Sequence, residues 1–163
     1  MALNMSTGFV AGILGPSSFD QIFQDGAIEI RSGSQPANAD APVTGDLLAR
    51  ITQAGGAWLA GSPSSGLRWF RSGRYAFASP DQSWQLVGLA TGEAGWFRMV
   101  GNAFDDGGSS TTAPRIDGAI GLLPDLDTPS VSDIQLYLPT LTIAPGSSMQ
   151  IGEAVWFTFP PLE

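Results

Sequence analysis

Carboxylates, guanidinium groups, phenols and hydroxyls are the only side chains here with chemistry to offer, because the chain contains no His, no Cys and no Lys. All seven basic residues are Arg. A Ser-His or Cys-His nucleophile, a Schiff-base or P-loop lysine and a His/Cys zinc site are therefore out of reach. A carboxylate pair of the kind that cleaves glycosides is the enzyme chemistry the composition leaves open, with Trp58, Trp69 or Trp84 available to stack on sugar rings. No spacing singles out one pair among the 15 acids. We therefore assign no catalytic residue and no cofactor, and the expectation is a protein that is not an enzyme.

Two acidic stretches could supply oxygens to a calcium ion: Asp105-Asp106-Gly107-Gly108-Ser109-Ser110 and Asp125-x-Asp127. Neither has the regular spacing and distal Glu of a calcium loop, so both read as acidic turns facing water and no metal is expected. Arg68, Arg71 and Arg74 interleave with Trp69, Phe70 and Tyr75 in one short region. Arginines among aromatics could stack on nucleic-acid bases, but they are also the composition of protein-interface hot spots. The net charge of −8 decides between these, since phosphate binding needs a basic stripe and none exists. The same charge argues against an anionic membrane surface. No run approaches ~20 apolar residues, and the N-terminus lacks the positive flank of a secretory signal.

The elements that must position these residues are short. Twenty-one Gly and 12 Pro punctuate the whole chain, which implies many turns. Ser6 or Thr7 can cap a first helical turn through Phe9–Leu14, ended by Gly15-Pro16. Ser17 or Ser18 can cap a second over Phe19–Gln24, with Phe19, Ile22 and Phe23 on one stripe. From Ala27 the period becomes two, with Ile28 and Ile30 inward and Glu29 and Arg31 outward. Residues 33–45 read as a polar loop, and strands are expected over 46–52, 57–60, 67–70, 74–78, 84–90, 96–100, 115–121, 134–138, 141–143 and 154–159. Strands at about ten-residue spacing without alternating helices predict an all-β sandwich or jelly-roll-like barrel of about eight to ten strands. The length suits a single domain, 1–163, with residues 1–26 as a helical cap or a docking arm and 27–163 as the β-domain. Continuity of apolar character into Phe19, Ile22 and Phe23 favours the cap.

Only 13% of residues are charged, against about 25% in ordinary globular chains. A surface so poor in charge does little to prevent association. The expected contact residues are Phe9, Ile13, Trp69, Phe70, Arg71 and Tyr75.

An ordered set of motifs runs along the chain: ALNMSTG, GAIEIRSGSQPANADAPVTGDLLARIT, LATGEAGWFRMVGN, TTAPRIDGAIG, DIQLYLPTLTIAPGSSMQI and VWFTFPPLE. This order resembles a family of small virion structural proteins of tailed bacteriophages, over essentially the whole length. GLLPDLDTPSVSD (121–133) departs from the family's pattern as an insertion. The resemblance implies a virion component, with a capsid decoration (cement) protein as the first expectation. The alternatives are a tail, neck or fibre-associated protein and a carbohydrate-binding receptor-recognition module. The partners implied are other virion proteins, either the major capsid protein or tail proteins. A homo-oligomer is expected, with a trimer as its state, because open sheet edges need covering.

Overall fold

A computed structural model describes residues 3–73, 75–123, 135–151 and 156–158. The N-terminal region gives β1 (Asn4–Met5), α1 (Thr7–Leu14) and α2 (Phe19–Ile22). The strands that follow are β2 (Ala27–Ser32), β3 (Leu47–Gln53), β4 (Trp69–Ser72), β5 (Tyr75–Ala78), β6 (Trp84–Gly88), β7 (Gly92–Val100), β8 (Arg115–Leu122), β9 (Leu136–Leu138), β10 (Thr142–Ile143), β11 (Ser148–Ile151) and β12 (Trp156–Thr158). The larger sheet runs β1-β8-β7-β2-β3-β6-β11, with β9 added to β8 and β10 to β7. The smaller sheet runs β12-β5-β4. All pairings are antiparallel except β8 with β9. The arrangement is the expected all-β, sandwich-like one with short N-terminal helices.

Ser6 explains why α1 starts where it does. Its Oγ accepts from the Phe9 amide at 3.1 Å, taking up one of the helix's free N–H groups. Ser18 and Gln21 form a capping box on α2. Both helices lay their aromatic residues on the core. Phe9 stacks on Phe23 at 5.4 Å, Phe19 meets Trp69 edge-on at 5.1 Å, and Trp69 meets Trp84 at 4.6 Å. Phe9, Phe19 and Phe23 thus belong to the core, and β1 pairs with β8.

One face of the larger sheet carries Ile28, Ile30, Ile51, Leu86, Phe97, Met99 and Ile116, the residues predicted to face inward on β2 among them. Several short elements differ from expectation. Residues 57–59 have no regular structure and Ala60 enters a turn; here the Trp58 indole N–H donates to the Asp25 carbonyl at 2.9 Å instead of lying in a strand. The 91–95 segment, expected as a connector, opens β7 at Gly92, since Thr142 and Ile143 pair with Glu93 and Gly92. β1 and β11 were not foreseen, being short and without clear alternation. Arg74, the Asp125-x-Asp127 motif and most of the 121–133 insertion lie outside the described residues. Among the described residues no helix is long and apolar enough to cross a membrane.

Candidate functional site

The second face of the larger sheet holds the site, and here the reading of Glu29 and Arg31 as outward-facing needs correction. They point away from the core, but Glu29 is only 8% exposed. Loops cover that face, so alternation separates two faces without making one of them wet.

Register builds a row of polar residues across five strands. Arg50 on β3 stands opposite Glu29 on β2, Glu29 opposite Arg98 on β7, Arg98 opposite Asp117 on β8, and Asp117 opposite Asn4 on β1. Positive and negative charges alternate along it. Glu29 accepts from Arg31 at 2.7 Å and from Arg50 at 3.0 Å. Arg98 and Asp117, both buried, pair edge-on through two 2.7 Å contacts. Arg115 pairs in the same bidentate way with Asp105, at 2.6 and 2.5 Å. Four of the seven arginines thus sit on one sheet face of a chain whose net charge is −8.

These pairs hold the covering loops. The Ala39 carbonyl accepts from both Arg98 and Arg115 at 3.4 Å, and the Ala41 carbonyl from Arg98 at 3.3 Å. Asp40 accepts from the Thr7 amide at 2.8 Å and its hydroxyl at 2.6 Å. Asn4 reaches the Pro36 and Ala37 carbonyls. Buried Ser6 joins the segments: its hydroxyl donates to the Ala113 carbonyl and accepts from the Arg115 amide, both at 2.8 Å. The Val43 amide donates to the Gly107 carbonyl, tying residues 33–46 to the loop after β7.

Burial alone pushes the Asp117 carboxyl above its ordinary range, and the Arg98 and Arg115 charges only partly offset this. Burial also acts to raise Asp105, but there the Arg115 hydrogen bond, the Gly107 amide and the Arg115 and Arg98 charges win and hold it below the usual value. Asp40 is likewise lowered, chiefly by the Thr7 hydroxyl.

Beside this network lies a cleft of about 430 Å³, in the size range of ligand pockets. Glu29, Arg31, Arg50, Arg98 and Val100 line its floor, and Val43, Trp58, Leu59 and the 104–107 segment its walls. The two outer walls are linked, as the Gly61 amide donates to the Asn102 carbonyl at 2.6 Å. Leu59 and Phe104 stand at the rim, 69% and 83% exposed. Among the described residues three buried N–H groups on this face find no acceptor: Arg31 Nε, Trp96 Nε1 and Arg98 Nη1. Arg31 and Trp96 are cross-strand neighbours, and the Arg98 guanidinium lies 5.5 Å from the Trp96 ring centre. Leaving a buried donor unmatched costs about 1–3 kcal/mol, more for a charged one.

The cleft contains carboxylates, but Glu29 and Asp105 are each held by arginines. A general acid needs a raised carboxyl, and the raised one, Asp117, is fully buried and does not line the cleft. Of the tryptophans considered for sugar stacking, Trp69 and Trp84 are core residues, and the Trp58 ring has the Arg50 guanidinium over it at 5.5 Å. The Asp105-Asp106 stretch is a pair of local turns, with the Gly107 and Gly108 amides donating to Asp105 and Asp106. Among the described residues no cluster of acids has metal-holding geometry.

The expected contact residues divide. Phe9 and Trp69 are buried in the core, so their side chains do not reach a partner. Ile13 packs partly against the core. Phe70 is half exposed and Arg71 is more so, on β4 at the edge of the smaller sheet. Arg71 also pairs with Asp20 of α2 at 3.2 Å, and Tyr75 packs beside Phe77. Sequence reasoning missed the network itself. Its signal was charged residues two apart within strands otherwise apolar: Glu29-x-Arg31 and Arg115-x-Asp117. No protein-family model, curated protein or solved structure matches this chain.

Proposed function

We propose that this protein is a non-enzymatic structural component of a tailed-phage virion, a capsid decoration (cement) protein that acts by contact with other virion proteins. The observation that carries the reading is where the phage-like motifs lie in space. Asn4, Ser6 and Thr7 come from the first motif, Glu29, Arg31, Ala39, Asp40 and Arg50 from the second, Arg98 from the third, and Arg115 and Asp117 from the fourth. Motifs spread over more than a hundred residues close one network, so their order reflects a single three-dimensional unit.

That unit spends its charged groups on holding loops still. Such rigidity suits a protein whose work is to present a fixed surface, because a preordered surface loses less entropy on binding. The β4 edge, with Phe70 and Arg71 outward, offers unpaired backbone and an apolar contact for a neighbour. Composition analysis of purified particles whose genome encodes the chain tests the reading. Many copies per particle are expected; absence from intact particles would overturn it. A tail or neck position is the second reading, since the same edge would serve there.

A further inference from the structure

We propose that the cleft between the Trp58–Ala60 and Phe104–Gly107 segments is a binding site for an organic carboxylate carried next to an apolar group. Three features converge. The first is unmet hydrogen-bonding capacity of one kind. Arg31 and Arg98 line the cleft, and Arg31 Nε, Arg98 Nη1 and the neighbouring Trp96 Nε1 are all donors. Arg98 uses its Nε and Nη2 on Asp117, which leaves Nη1 without an acceptor among the described residues. Donors without acceptors call for an oxygen-bearing ligand.

The second is charge. Arg31 and Arg50 share the single carboxylate of Glu29, whereas Arg98 and Arg115 each pair with a carboxylate of their own. A single carboxylate matches that shared pair, and a phosphate dianion exceeds it. Asp106, exposed at the wall, further disfavours a dianion. The third is the rim. Leu59 and Phe104 are largely exposed on the two walls, placed to cover an apolar group beside the acid. Arg50 also lines the cleft, about one-third exposed, over the Trp58 ring.

The site is independent of the virion assignment, which location in the particle tests separately. N-acetylphenylalanine, its neutral amide and inorganic phosphate are suitable probes, followed by shifts of the Trp58 and Trp96 indole and arginine Nε–H resonances in labelled full-length protein. The acid should bind saturably, at about 1 mM, the scale of a small ligand held by few contacts. It should move the Arg31, Arg98 and Trp96 signals together. Leu59→Ala with Phe104→Ala should weaken it several-fold at unchanged melting temperature, and Arg50→Met should weaken it while keeping its stem over Trp58. Equal response to acid and amide, tighter binding of phosphate, or no saturable shift with any probe would overturn the proposal. So would ordered water on all three donors persisting in a structure determined with the acid present. A chain-terminal source is distinguished from a free acid by adding a peptide ending in Phe, which should compete with N-acetylphenylalanine.

Discussion

Arg98 and Asp117 stand directly opposite each other on neighbouring strands, both out of contact with water, and meet through two parallel 2.7 Å contacts. The pair is the centre of the polar row, and the spare capacity of Arg98 Nη2 reaches the Ala39 and Ala41 carbonyls. A buried pair is costly to break from one side, because the survivor is an uncompensated charge. Asp117→Leu, which leaves Arg98 buried without its carboxylate, should therefore lower stability by about 3–5 kcal/mol, measured by urea denaturation. The double replacement Arg98→Met with Asp117→Leu should recover much of that loss. Recovery of stability in the double variant without recovery of loop protection in hydrogen exchange at 39–43 would show that the pair's role is to pin the loop.

Ser6 should matter more than an ordinary helix cap. Loss of a Ser cap costs about 0.5–2 kcal/mol. Here the same hydroxyl also accepts from the buried Arg115 amide and donates to the Ala113 carbonyl. Ser6→Ala should fall at or beyond the upper end of that range. Amide exchange should accelerate at both Phe9 and Arg115; acceleration at Phe9 alone would mean that the cap is its whole role.

Acid should unfold the protein partly through Asp105. Its carboxyl is held below its ordinary value, so the folded state binds that proton more weakly than the unfolded chain. The stability it contributes is present above the ordinary carboxylate pKa of about 3.9 and is lost as pH falls through the folded value. Asp105→Asn should cost on the order of 1.5–3 kcal/mol at pH 7, with the two proteins converging as pH drops below about 3.9. Asp117 has the opposite sign: raised by burial, its ionisation removes stability as pH rises from the ordinary value through the folded one. The variant should therefore show a flatter acid limb than the parent in denaturation followed from pH 7 to pH 2.

Neighbouring positions on β4 should behave in opposite ways. Trp69 packs between Phe19 and Trp84, so Trp69→Ala should cost about 3–5 kcal/mol. Phe70 is half exposed, and Phe70→Ser should change stability by no more than about 0.5 kcal/mol. If β4 is a contact edge, Phe70→Ser should nonetheless reduce self-association or particle binding in sedimentation experiments. Unchanged association would remove β4 from the contact surface.

The elements legible in the sequence were those where one side of a strand or helix is apolar and its ends are punctuated. The strand from Ala27 is announced by alternation, and the helices by Ser caps and the Phe19, Ile22, Phe23 stripe. The site was not legible for a physical reason. Period-two patterning places Glu29 and Arg31 on one face but carries no information about the loop that returns to cover it. That loop, 33–46, is polar and looks free in sequence. It is fixed by partners as far away as Arg98 and Arg115, and by Thr7 and Asn4 before it. Trp69 is buried where a surface was expected because an aromatic beside an arginine fits a surface and a core edge equally well, and Phe9 because an apolar segment near the N-terminus reads as a docking arm as readily as a cap.

Imaging of intact particles tests the central claim most directly. Cryo-electron microscopy of the tailed phage whose genome encodes this chain should show a two-sheet domain of this fold repeated over the outer head surface, with the β4 edge against its neighbours. Density for it on the tail alone would contradict the cement assignment, and its absence from the whole particle would contradict the virion role.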